Sequence, residues 1–135
     1  MARPLKVLVV EDMLTIRLLL SGLLKPALRG QTFVILEAEN GEEGLVKARQ
    51  EHPDIVVTDV AMPRMDGVTL CRLLKADPGT SSAAVVMVTS DDQHREAGLA
   101  AGAVAFLRKP IRGADLQSAM QVALTCVPGG TDATA

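Results

Sequence analysis

The stretch PDIVVTDVAMPRMDG, Pro53 to Gly67, is a short apolar run that closes on an aspartate, Asp59. A core strand gains nothing from a carboxylate at its end, so Asp59 asks for a partner. Other polar residues stand at equivalent places: Glu11-Asp12 after KVLVV, Thr89-Ser90 after AVVMV, and Lys109-Pro110 after AVAFLR. Gathered together, these residues make a site of carboxylates, a hydroxyl and an ammonium. Carboxylates at close quarters repel one another, and relief comes from proton uptake or from a divalent cation. Oxygen-only ligands at this charge density suit Mg²⁺, or Mn²⁺ in its place. With such a cation and Lys109 present, the cluster becomes a receptacle for a phosphoryl group. One carboxylate can then act as nucleophile and give an aspartyl phosphate, with Thr89 donating to a phosphoryl oxygen.

Such a site needs a scaffold that brings distant segments to one edge. The sequence supplies it by alternating β-branched apolar runs with amphipathic ones. KVLVVED, TFVILEAE, DIVVTD, AAVVMVTS and AVAFLRKP read as strands. The helix after the first strand shows Ile16, Leu19, Leu20, Leu23 and Leu24 on one face, and Pro26 is expected to end or kink it. The second places Leu45 and Ala48 inward, the third Val68, Cys71 and Leu73 or Leu74. The fourth is read from DDQHREAGLAAG, with Asp91 or Asp92 at its N-cap, and the fifth packs Leu116, Met120, Ala123 and Leu124. Near-continuous Val/Ile/Leu strands, each followed by a helix, predict an α/β fold with a parallel sheet covered on both faces. Ligands of such sheets collect at the carboxyl ends of the strands. Glu37 and Glu39, at the end of the second strand, find no role from the sequence.

Composition narrows the function. The chain has 135 residues, long enough for one domain with a sizeable core, here expected over residues 1–127 with a disordered tail over 128–135. The net charge of -2 gives no basic field for nucleic acid, and the absence of Trp and Tyr leaves no aromatic platform for stacking bases. No apolar run approaches membrane-spanning length, and the opening residues read as a strand and not as a signal peptide, so the cytoplasm is the expected location. Cys71 and Cys126 are far apart and read as two reduced core thiols.

Together VVED, VVTDVAMPRMDG, VMVTS and FLRKP resemble the receiver domain of two-component response regulators. The resemblance runs from Lys6 to about Cys126. It implies a flavodoxin-like, five-stranded (βα)5 fold of strand order 2-1-3-4-5. It also implies that Asp59 is the phosphoacceptor, that Asp12, Asp59 and the backbone carbonyl of Ala61 bind Mg²⁺, and that Glu11 acts through a metal-bound water. Lys109 would pair with Asp59 and then with the phosphoryl group. Thr89 and Phe106 would form the conformational switch, and the Lys109–Pro110 bond would be cis. The implied partners are a sensor histidine kinase or phosphotransfer protein and an output protein docking on helix 4, strand 5 and helix 5, with the chain a monomer or weak homodimer. Two features depart from the commonest pattern: the acid pair is Glu-Asp where Asp-Asp is frequent, and the switch aromatic is Phe where Tyr is common. Ala61 and Asp91 occupy the positions that tune dephosphorylation in the family.

Blander readings stand beside these. Glu11-Asp12 also suits a helix start, Thr89 suits any strand, Phe106 suits plain packing, and Asp66-Gly67 reads as a turn and helix start. His52 and His94 are isolated. Two other functions compete with the phosphorylated switch. A receiver-shaped interaction module that takes no phosphate is disfavoured by the complete set of site residues. A metal-dependent phosphohydrolase is disfavoured because the position two residues after Asp59 is Ala61 and no cap domain is apparent.

Overall fold

The computed structural model describes residues 3–90 and 92–127. The expected tail at 128–135 and the residue Asp91 lie outside the described residues. Five strands and five helices alternate: β1 (Leu5–Val10), α1 (Leu14–Ala27), β2 (Phe33–Ala38), α2 (Gly41–Glu51), β3 (Ile55–Asp59), α3 (Gly67–Ala76), β4 (Ala84–Thr89), α4 (Arg95–Ala101), β5 (Ala105–Arg108) and α5 (Gly113–Cys126). The sheet is parallel throughout, in the order β2-β1-β3-β4-β5, the flavodoxin-like order expected.

Strand residues alternate between two cores, one on each face of the sheet. Val7, Val9, Ile55, Val57, Val86 and Val88 pack with α1 and α5 through Leu20, Leu24, Leu116 and Met120. Leu8, Val10, Val56, Val85 and Met87 pack on the other face with Leu45, Ala48, Leu70, Cys71 and Leu74. Each fully buried leucine contributes about 2 kcal/mol by the apolar area it removes from water. Helix starts are specified locally: Asn40 accepts from Glu43 N at 2.8 Å to cap α2, and Asp66 accepts from Thr69 N at 2.7 Å to cap α3. Among the described residues no helix is long and apolar enough to cross a membrane.

Several local expectations are corrected. Leu19 is 47% exposed and off the buried face of α1, where Leu20 and Leu24 do the packing. Cys71 lies in the core as expected, but Cys126, at the last position of α5, is exposed. Pro26, by contrast, lies where α1 ends, as expected: the helix stops one residue later, at Ala27. Helix α4 begins at Arg95, later than expected, with His94 at its N-cap and no side-chain cap. Asp92 does not cap it. Its carbonyl accepts from Arg95 N at 3.1 Å in the preceding turn, and its carboxylate pairs with Arg108 at 3.2 Å. Strand β1 ends at Val10 and β5 at Arg108, so Glu11-Asp12 and Lys109-Pro110 sit in the loops just beyond the strands.

Candidate functional site

Those loops and the ends of β3 and β4 meet at the carboxyl edge of the sheet. One oxygen each from Glu11, Asp12 and Asp59 lies within 4.8 Å of the others. Asp59 closes the fully buried strand β3 and is itself buried, whereas Asp12 is exposed. Lys109 reaches both buried acids, with Nζ 3.2 Å from Glu11 Oε1 and 3.4 Å from Asp59 Oδ1. Its own backbone is tied to β4, with Lys109 N donating to Thr89 O at 2.7 Å, and the Lys109–Pro110 bond is cis, as expected. Thr89 ends β4 beside Asp59's strand and is buried.

The charges do not balance. Three carboxylates face one ammonium. Burial pushes the Glu11 carboxyl up to about 6; the Met13 N–H, 3.2 Å from Oε2, opposes this, and the nearby Asp59 charge adds to it. Burial also raises Asp59, and the charge and hydrogen bond of Lys109 with the N–H of Val60 at 2.9 Å offset this only in part. A site that holds acids at raised pKa favours whatever brings positive charge, a proton or a metal ion. The donors are all oxygen, as Mg²⁺ and Mn²⁺ require, so the residues fit such an ion.

The backbone around Asp59 is held on every side. Thr58 Oγ1 donates to Asp59 O at 2.8 Å, Val60 N donates to Val88 O at 3.1 Å, and Gly67 N donates to Val60 O at 2.8 Å. A Cβ on Gly67 would stand 2.2 Å from Asp59 O and 3.0 Å from Val60 Cα, so only glycine allows this approach. The turn at Asp66-Gly67 therefore does more than start α3: it clamps the backbone of Asp59. Ala61, in the exposed loop so closed, follows directly.

Phe106 is half-buried on β5 opposite Met87. Gly98 of α4 faces it, and a Cβ there would lie 2.6 Å from Met87 Sδ and 3.3 Å from the ring. The Arg95 guanidinium stands 5.7 Å from the ring centroid, within cation–π range. A groove of about 400 Å³ opens beside Phe106, lined by Ala105 to Arg108 of β5 and by Asp115, Ser118, Ala119 and Val122 of α5.

Sequence reasoning missed Arg17. It is buried, with Nη1 donating to Glu11 O at 2.8 Å and Nε to Glu37 Oε1 at 2.8 Å. The signal was present: an arginine on the apolar face of a helix together with an unplaced glutamate at a strand end. Glu39 lies outside the site, exposed, with its N–H donating to Glu43 at 2.8 Å. His52 caps α2 in the left-handed region, and neither histidine approaches the acid cluster by any hydrogen bond described.

Residues 7–121 match the family of the response regulator receiver domain. The chain is 36% identical over 108 residues to protein PilH of Pseudomonas aeruginosa, covering 78% of this chain and 86% of PilH. It is 40% identical over 109 residues to the response regulator PleD of Caulobacter vibrioides, covering 78% of this chain and 23% of PleD, so it spans about a quarter of that relative. Among solved structures it is similar to the chemotaxis protein CheY4 of Vibrio cholerae, with TM-score 0.79 and 29% identity, covering 90% of this chain and all of that one. A putative response regulator of Chloroflexus aurantiacus gives TM-score 0.82 and 30% identity, covering 91% of this chain and 99% of that one.

Proposed function

Because the chain belongs to the response regulator receiver domain family of two-component signalling, we propose that it is a phosphoacceptor switch that takes a phosphoryl group on Asp59. The observation that carries this reading is the pairing of a buried strand-end carboxylate with Lys109 inside an under-neutralised oxygen cluster.

The donor is a phosphohistidine on a sensor kinase or phosphotransfer protein. An Asp59 carboxylate oxygen attacks phosphorus. The O–P bond forms, the N–P bond breaks, and the imidazole nitrogen keeps the electron pair and takes up a proton from water. Asp12, Asp59 and the Ala61 carbonyl would hold Mg²⁺ or Mn²⁺ directly, and Glu11 would act through a water. When bound, the cation supplies positive charge against the phosphoryl oxygens. Lys109 exchanges part of its pairing with Asp59 for the incoming phosphoryl oxygen, and Thr89 donates a hydrogen bond to another. The reaction is a single self-modification, without turnover of free substrate.

The consequence is a shift between two conformations that Thr89 and Phe106 couple. The responding surface is α4, β5 and α5, where Phe106 lies under Arg95 beside the β5–α5 groove, and a separate cytoplasmic output protein reads it. Intact mass after incubation with acetyl phosphate and Mg²⁺ tests the reading. One phosphoryl adduct is expected, absent with EDTA and in Asp59→Asn. No adduct from acetyl phosphate or from a phosphohistidine donor would leave a receiver-shaped binding module.

A further inference from the structure

We infer that Arg17 is a positioning residue for the cation site, acting through the carbonyl oxygen of Glu11. The inference rests on the metal-binding reading of the acid cluster. Burying a guanidinium is costly unless its donors are well used. Glu37 alone would give Arg17 a partner at the surface, since that carboxylate side chain is 41% exposed. Instead the Arg17 side chain is drawn in to 10% exposure. There its second arm meets a peptide oxygen at the point where β1 gives way to the acid pair.

That oxygen is strategic. The carbonyl of Glu11 and the N–H of Asp12 share one rigid plane, so holding the oxygen fixes the peptide from which the Asp12 side chain departs. The other side of the turn is already fixed, because Glu11 N donates to Ala38 O at 3.1 Å. Arg17 N also donates to Met13 O at 2.9 Å, closing the first turn of α1 over the loop. A charged donor makes a shorter and stronger bond than a neutral one, which suits a residue meant to hold a loop that carries uncompensated negative charge. Arg17 thus stands to the ligands as a hydrogen-bonding partner behind them, a role that commonly sets metal affinity.

The test is Mg²⁺ affinity, followed by amide NMR shifts in folded protein, with no phosphodonor present. Arg17→Met keeps the apolar stem and removes both arms, and it should weaken Mg²⁺ about tenfold. Arg17→Lys should restore part of that loss. Glu37→Gln, which leaves the Glu11 bond in place, should bind close to wild type. So should Leu124→Val, a core change on α5 that reports loss of stability alone. Unchanged or tighter Mg²⁺ binding in Arg17→Met would overturn the inference, tighter binding meaning that the guanidinium acts only as a repelling charge. A loss in Leu124→Val as large as in Arg17→Met would overturn it too. Wild-type protein that binds no Mg²⁺ would overturn the metal reading of the site, and this inference with it.

Discussion

Strand β3 carries an aspartate at each end, and the two are treated in opposite ways. Asp54, just before the strand, accepts from Lys6 N at 2.8 Å and from Arg3 Nη1 at 2.8 Å, with a further bond to Arg3 Nη2. Burial pushes its carboxyl up, but the Arg3 bond, the Lys6 N–H and the two positive charges outweigh it, and the carboxyl sits below its ordinary value. Asp59, closing the same strand, is buried too, yet sits above its ordinary value because burial pushes its carboxyl up further than Lys109, which it shares with Glu11, and the Val60 N–H bring it down. One end of the sheet is finished by the protein's own groups. The other is left short of positive charge, and that shortage is what the proposed cation would answer.

The largest expected effect comes from breaking the finished end. Asp54→Ala leaves the part-buried N–H of Lys6 without its acceptor and should cost about 2 kcal/mol. Asp59→Asn, measured at neutral pH without divalent cations, should instead gain roughly 1 kcal/mol by relieving like-charge repulsion. Denaturant unfolding of the two variants beside wild type decides it. Equal destabilisation would mean that both aspartates are structural and the contrast is false.

The next effect sharpens the contrast by pH and metal. Glu11 has its folded pKa raised from 4.5 to about 6, so its contribution to stability is full below pH 4.5 and is lost as pH rises through about 6. Asp54 has its folded pKa lowered below 3.8, so its contribution is present above pH 3.8 and is lost as pH falls through the lower folded value. Thermal unfolding in EDTA should therefore show stability declining from pH 4.5 to about 6, and Glu11→Gln should remove most of that decline. Mg²⁺ at ten times its dissociation constant should raise stability at neutral pH by about 1.4 kcal/mol. The gain should shrink in Asp59→Asn and persist in Asp54→Asn. A Mg²⁺ effect that is indifferent to Asp59 would place the ion elsewhere.

The finished and unfinished ends were not equally legible in the sequence. Apolar strand runs and helical spacing give the layers, because burial on both faces forces that pattern. Asp59, Glu11, Asp12, Thr89 and Lys109 stand out because each interrupts or ends an apolar run. Arg17 is half legible: its place on the apolar face of α1 and the unplaced Glu37 hint at one partner, but the other is the Glu11 carbonyl oxygen, and backbone acceptors leave no mark in residue types. The Arg3–Asp54 pair was hidden for a related reason: it joins residues far apart in the chain and serves only to close an edge. Gly67 looked like turn chemistry, and only the 2.2 Å approach to Asp59 O shows what the missing Cβ permits. The start of α4 was misread because the charged run DDQHRE matches a helix N-terminus, whereas residues before Arg95 are spent on a turn and on the Asp92–Arg108 pair.

The smallest effect separates the two partners of Asp54. The Arg3 side chain is 62% exposed, and water and salt screen its charge, so Arg3→Ala should cost only about 0.5 kcal/mol despite its two-armed contact. The Lys6 N–H has no such alternative, being the inner bond of the set. The cost of Arg3→Ala should fall towards zero in 1 M NaCl, a salt level at which the screening length is about 3 Å, while the cost of Asp54→Ala should barely change. If Arg3→Ala matched Asp54→Ala at all salt levels, the guanidinium would be the principal support of that end. The finished end of β3 would then depend on an exposed ion pair, and the contrast with Asp59 would be one of exposure as much as of charge.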